Sequence, residues 1–146
     1  VGAELGGALK NVIAIACGAA IGAGLGESAR AALITRGNTE IGRFAISRGA
    51  RIETLAGLSG FGDLCLTCTS EKSRNYQYGL ALGLGSRLDS DITVEGFGTA
   101  MAMHKILQDT KIEMPITKAV ADLCSDRLTV SEALTKLMAR PLQEEF

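Results

Sequence analysis

Aromatic side chains make up only 4% of the 146 residues, and tryptophan is absent. With so few large rings, small side chains must fill much of any core. The 18 glycines point the same way, toward close helix contacts. An excess of one charge is also missing. The net charge is −1 with both signs interspersed, so there is no basic stripe of the kind that nucleic-acid binding requires. A small anionic molecule needs only a few local cations, and that class of ligand stays open. No stretch alternates with period two, which excludes a sheet, and nearly every segment has helical spacing instead. The expected fold is all-α. At this length and with 47% hydrophobic residues it is one domain, 1–146, able to bury its own core.

A membrane-spanning run is lacking as well. The stretch from Leu5 to Leu25 is largely apolar, but Lys10 and Asn11 interrupt it. What remains, Val12 to Leu25, is about 14 residues where a span needs about 20. No basic amino-terminal region or initiating methionine marks a signal peptide. Val1 therefore reads as a mid-chain start, and the sequence is expected to be a piece of a longer, cytoplasmic protein. Four cysteines form no obvious disulfide framework, and Cys17 and Cys124 fall on apolar helical faces, so reduced thiols are expected. Cys65-Leu-Thr-Cys68 is a C-x-x-C, yet no second ligand pair follows at the spacing of a four-ligand zinc site. No metal is expected. The glycine clusters Gly22-x-Gly24-x-Gly26 and Gly96-x-Gly98 lack the G-x-G-x-x-G spacing and follow no strand, so the chain has no dinucleotide-binding unit of its own.

What the sequence does contain is one lysine and one asparagine inside an otherwise small and apolar helical run, Glu4 to Cys17. An ammonium buried there loses hydration unless a carboxylate or a ligand meets it. Gly6, Gly7 and Ala14 lie three or four residues from Lys10, on the same helical face, and leave room beside the amine. Catalysis and a snorkelling lysine with a buried stem both fit this spacing.

In chain order, the first helix is expected from Ala3 to Ala20, with Gly18, Gly22 and Gly26 forming a small-residue row for close packing. A second follows from Ala29 to Arg48, closed by Gly49. Within it Arg36, Glu40 and Arg43 form a solvated or inter-helix charge row. The glycine-rich Thr54–Leu64 stretch suggests tight turns or close approach to a ligand, with Asp63 opening a short helix, Leu64 to Thr69, either as its cap or as the anionic partner of Lys10. Ser73 sits where the next helix begins, with Arg74 and Asn75 in its first turn. That is either a phosphate cradle or a plain helix cap. Thr93-Val94-Glu95 opens a helix to about Asp109, and His104, the only histidine, falls on or beside its core stripe. Pro115 restarts the chain with an apolar face of Ile116, Ala119, Val120, Leu123 and Cys124. Thr129-Val-Ser-Glu132 is a capping-box pattern for the last helix, whose buried side is Val130, Ala133, Leu134, Leu137 and Met138. Pro141 ends it, and 143–146 is a tail.

Six blocks occur in order: Val1 to Ala16 with its Lys10-Asn11, Ala31 to Gly37, Gly57 to Leu64, Leu66 to Ser70, Ser73-Arg-Asn75 and Val94-Glu-Gly96. Together they closely resemble the C-terminal domain of bacterial NAD(P)-dependent glycerol-3-phosphate dehydrogenase. The resemblance implies a helical substrate domain related to the C-terminal domain of 6-phosphogluconate dehydrogenase. It implies that Lys10 is the general acid/base, protonating the ketone oxygen of dihydroxyacetone phosphate as hydride arrives from NAD or NADP in its reduced form. Asn11 lies in the same block as a substrate-binding position. Asp63 would bind substrate and help set the state of Lys10, and Ser73, Arg74 and Asn75 would bind glycerol 3-phosphate. Arg74 would also reach the cofactor, as would Glu95 and the residue before it, Val94 or Thr93.

The same resemblance implies a homodimer, and a nucleotide-binding half that these residues do not include. The isolated chain is therefore expected to be inactive, because nothing in it positions a hydride donor. From a different class, a non-catalytic helical dimerisation or interaction module with a structurally paired Lys10 also accounts for the composition.

Overall fold

The structure, a computed structural model, describes residues 2–51, 53, 58–86 and 94–139, with the side chains of 2–6, 58 and 59 outside that description. Expectations placed on Gly6, on 54–57, on Thr93, on Pro141 and on 143–146 therefore fall outside the described residues. Those that are described form seven helices and no strand: α1 (Gly2–Gly22), α2 (Glu27–Ser47), α3 (Leu58–Thr69), α4 (Arg74–Gly83), α5 (Glu95–Gln108), α6 (Pro115–Cys124) and α7 (Val130–Ala139).

α1 is the axis of the domain. It packs against α2, α3, α4, α5 and α6. From Val12 to Ala20 it is buried on every side, as a helix that is apolar all round must be. Phe44 of α2, Leu64 and Cys68 of α3, Tyr76 of α4, Met103 of α5 and Ile116 and Val120 of α6 close the core around it. Two glycines on α1 and two on α4 make the tightest crossing. A methyl group on Gly18 would meet the Tyr76 carbonyl and come within 2.7 Å of the Leu80 nitrogen, and one on Gly79 would fall on the Ile15 carbonyl. Gly22 and Gly83 repeat the contact one turn on, against Leu80 and Ala19. Here glycine is required because two backbones touch. Gly26, the third member of the expected row, packs against nothing; it takes φ +89° as the N-cap of α2.

Local signals set several of the helix ends. Ser73 accepts the Tyr76 N–H and caps α4. Thr129 and Glu132 exchange backbone N–H bonds, at 3.1 and 3.0 Å, in a complete capping box. Gly49 follows α2 with φ +91°, the left-handed conformation that terminates helices. Two expectations fail. α3 begins at Leu58, so Gly60 and Gly62 are helical and Asp63 lies inside a helix rather than capping one. Met138 is 36% exposed rather than buried.

The charge row of α2 also resolves. Glu40 is 2% exposed and accepts the Ile116 N–H at 2.9 and 3.1 Å and the Thr117 N–H at 3.2 Å. α6 starts with Pro115 after an N-cap methionine that offers no side-chain cap, so Glu40 caps it from across the interface. Burial pushes its carboxyl up to about 7, against the lowering effect of the Thr117 and Ile116 bonds and of Arg43.

Candidate functional site

Near the middle of α1 the polar residues named from sequence come together. Lys10 is half-buried, 27% exposed along its side chain, and its Nζ lies 3.6 Å from Asp63 Oδ2 on α3. The stem runs along apolar helix and the charge reaches the rim. The position beside it is open, since a methyl group on Gly7 would meet nothing within 4 Å. Of the two readings open for Asp63, partner and cap, the structure makes it the partner.

Asn11 carries the site sideways. Its amide nitrogen donates to Glu95 Oε2 at 3.3 Å and, at 3.5 Å, to the Gly7 carbonyl. The other Glu95 oxygen stands 4.0 Å from Arg74 Nη2. Arg74 and Glu95 are 75% and 72% exposed, so their pairing is weak and open to replacement by a ligand. Lys10 with Asp63 of α3, and Asn11 with Glu95 of α5 and Arg74 of α4, thus form a polar edge whose two parts meet at adjacent positions of α1.

Ser73 and Asn75 flank Arg74 with their oxygens already engaged. Ser73 Oγ accepts the Tyr76 N–H at 3.3 Å, which is the plain helix cap. A hydroxyl accepting in this way still carries a proton to donate. Asn75 is 6% exposed, and its Oδ1 accepts the Gly96 N–H at 2.8 Å. Any ligand contact of Asn75 therefore falls to its amide nitrogen. Val94, by contrast, is 3% exposed and is part of the core. A ligand meeting that segment would do so through backbone or through Glu95. Sequence reasoning did not single out Gly96 as a contact point. A methyl group there would approach Ile15 Cδ1 at 2.7 Å and both the Asn11 carbonyl and Asn75 Oδ1 at 2.8 Å.

The remaining reactive groups stand apart from this edge. Cys17 and Cys68 are buried and unoxidised, and a mutual hydrogen bond and then burial push the Cys68 thiol well above its ordinary range. Burial likewise raises the thiol of half-buried Cys124 to about 11. Among the described residues no three His, Cys, Asp or Glu side chains converge as metal ligands. His104 is half-buried, as its stripe suggested; its Nε2 faces donors on Arg127 and Gln108, so that nitrogen accepts. No described helix is long and apolar enough to cross a membrane.

Fold and site together define an α-helical domain with a lysine–carboxylate pair at its rim and an arginine-bearing helix N-terminus beside it. Such a rim offers an ammonium and a guanidinium, and no dinucleotide-binding unit accompanies it among the described residues. Residues 1–135 match the family model described as NAD-dependent glycerol-3-phosphate dehydrogenase C-terminus. A glycerol-3-phosphate dehydrogenase (NAD(P)+) from Ruegeria is 64% identical over 144 residues, which cover 99% of this chain and 45% of that protein. The crystal structure of glycerol-3-phosphate dehydrogenase from Coxiella burnetii superposes with a TM-score of 0.87 at 44% identity, covering 95% of this chain and 44% of that one. The structure of DsGPDH of Dunaliella salina shares the fold, with a TM-score of 0.79 at 21% identity. The chain belongs to the NAD-dependent glycerol-3-phosphate dehydrogenase C-terminal family. It spans a little under half the length of the Ruegeria relative and 28% of the Dunaliella chain.

Proposed function

We propose that residues 1–146 are the substrate-binding half of an oxidoreductase that interconverts dihydroxyacetone phosphate and sn-glycerol 3-phosphate with NAD(P)H, feeding glycerophospholipid synthesis. The observation that carries this reading is the Lys10–Asp63 pair at 3.6 Å, at the head of the edge that runs through Asn11 and Glu95 to Arg74.

Reduction of a ketone needs a hydride at carbon and a proton at oxygen. Lys10 supplies the proton, and its positive charge stabilises the alkoxide where it forms. In the reverse direction the amine takes the hydroxyl proton. Asp63 orients the Lys10 ammonium and meets the substrate's hydroxyls. The phosphate goes to Arg74, whose weak hold on Glu95 leaves its guanidinium free to pair bidentately. Asn11, the Ser73 hydroxyl and the Asn75 amide nitrogen complete the substrate contacts.

NADH or NADPH, when bound, would supply the hydride, and NAD+ or NADP+ would take it back in the reverse direction. The helical residues here fit only its edge: Arg74 and Glu95 are exposed and charged, and residue 94 contributes backbone. The rest of the cofactor belongs to a nucleotide-binding half outside residues 1–146, so this chain alone is inactive. The assembled enzyme is a cytoplasmic homodimer in this reading.

The test is a chimera. The N-terminal portion of the Ruegeria relative is joined to this chain, and NADH or NADPH oxidation is followed with dihydroxyacetone phosphate. Turnover that disappears with Lys10→Ala supports the reading. A folded chimera that neither turns over nor binds glycerol 3-phosphate sinks it, and favours a helical dimerisation module instead.

A further inference from the structure

The edge depends on where Glu95 stands, because that one carboxylate joins Asn11 of α1 to Arg74 of α4. Glu95 is the first residue of α5, and the N-cap before it, Val94, gives no side-chain bond to the helix. The first turn of a helix has free N–H groups that need acceptors. For α5 the acceptor at Gly96 comes from another helix, as Asn75 Oδ1 takes that N–H at 2.8 Å in a buried bond. Space allows no slack. Gly96 is buried, and even a methyl group would collide with Asn75 Oδ1, the Asn11 carbonyl and Ile15. Three helices therefore meet at the residue next to Glu95.

We propose that Asn75 is a positioning residue: by capping Gly96 from α4 it seats the first turn of α5, so that the Glu95 carboxylate reaches Asn11 and Arg74 together. The side chain next to Lys10 is thereby held through a relay of Asn75, Gly96, Glu95 and Asn11, without contact between Asn75 and the reacting atoms. The part this gives Asn75 in the reaction rests on the function proposed above, but the relay itself exists without any ligand.

The experiment is therefore done first on the ligand-free chain, by NMR. Gly96 amide exchange reports the cap, and the Asn11 side-chain amide resonance reports the far end of the relay. With Asn75→Ala, Gly96 exchange should accelerate at least about tenfold, as expected for a lost buried bond, and the Asn11 resonance should move. Asn75→Asp keeps an acceptor oxygen and should restore both. In a Glu95→Ala background, Asn75→Ala should no longer move the Asn11 resonance, which a merely structural role would not predict. An Asn11 resonance that stays put in Asn75→Ala, or moves equally without Glu95, overturns the relay. If Asn75→Ala does not fold, Asn75→Asp decides alone: Gly96 protection or an Asn11 resonance unlike the native chain's overturns it. Glycerol 3-phosphate is then titrated into the chimera described above. Its failure to shift Lys10 or Arg74 counts against the proposed function and leaves the relay readout untouched.

Discussion

Glu40 offers a stability measurement whose size changes with pH. Its carboxylate is the N-terminal cap of α6, accepting the N–H groups of Ile116 and Thr117 inside the interface with α2. Truncation by Glu40→Ala leaves those two donors buried without an acceptor, at about 1–3 kcal/mol each. The opposing effect is charge. Burial raises the carboxyl from 4.5 to about 7 in the folded chain, so the native state holds this proton more tightly than the unfolded state does. Its contribution is fully present below the unfolded value and is lost as pH rises through the folded one. A difference of about 2.5 pKa units corresponds to about 3 kcal/mol, most of it lost between about pH 5 and 7. The gap between the native chain and Glu40→Ala should therefore be about 4 kcal/mol near pH 5 and about 1 kcal/mol near pH 8. Glu40→Gln, which keeps an acceptor and cannot ionise, should be close to neutral near pH 5 and gain about 3 kcal/mol near pH 8. Urea unfolding followed by circular dichroism across this range measures all three. A gap to Glu40→Ala that is flat or widens with pH would refute the balance of burial over hydrogen bonding.

Other expectations follow from the same geometry. Gly79→Ala should cost at least about 3 kcal/mol in urea unfolding, since a methyl group there meets the α1 backbone. Gly7→Ala, facing open space on the same helix, should be neutral or stabilise by up to about 1 kcal/mol. Thr129→Ala should lower stability by about 1 kcal/mol through loss of the α7 cap, with no change in glycerol 3-phosphate binding. In the chimera, Lys10→Ala should reduce turnover about 10²–10⁴-fold, the range for loss of a general acid. Its melting temperature should barely change, because an ion pair at the rim with Asp63 63% exposed contributes little to stability. A stability loss matching the activity loss would make Lys10 structural.

The sequence by itself determined the features that rest on short-range physics. Helical spacing in nearly every segment gave an all-α fold. Ser73, Gly49 and the Thr129–Glu132 box marked helix ends, because caps act within four residues of themselves. Lys10 was conspicuous as a charge inside a small apolar run.

Tertiary structure decided which face each residue presents and to whom. Arg36, Glu40 and Arg43 have the spacing of a surface row, yet Glu40 is spent on a helix that begins 75 residues later, a relation no local pattern encodes. Glycines before Asp63 read as a turn, but helix propensity is a weak prior, and α3 runs straight through Gly60 and Gly62. The cap reading of Asp63 fell with the helix start at Leu58, and the partner reading rests on Lys10 lying opposite it. Asn75 has the composition of a ligand-binding residue, while its oxygen goes to Gly96, 21 positions along the chain. Spacing fixes the direction of a side chain on its own helix; only the packing of α1, α3, α4 and α5 fixes what stands at the end of it.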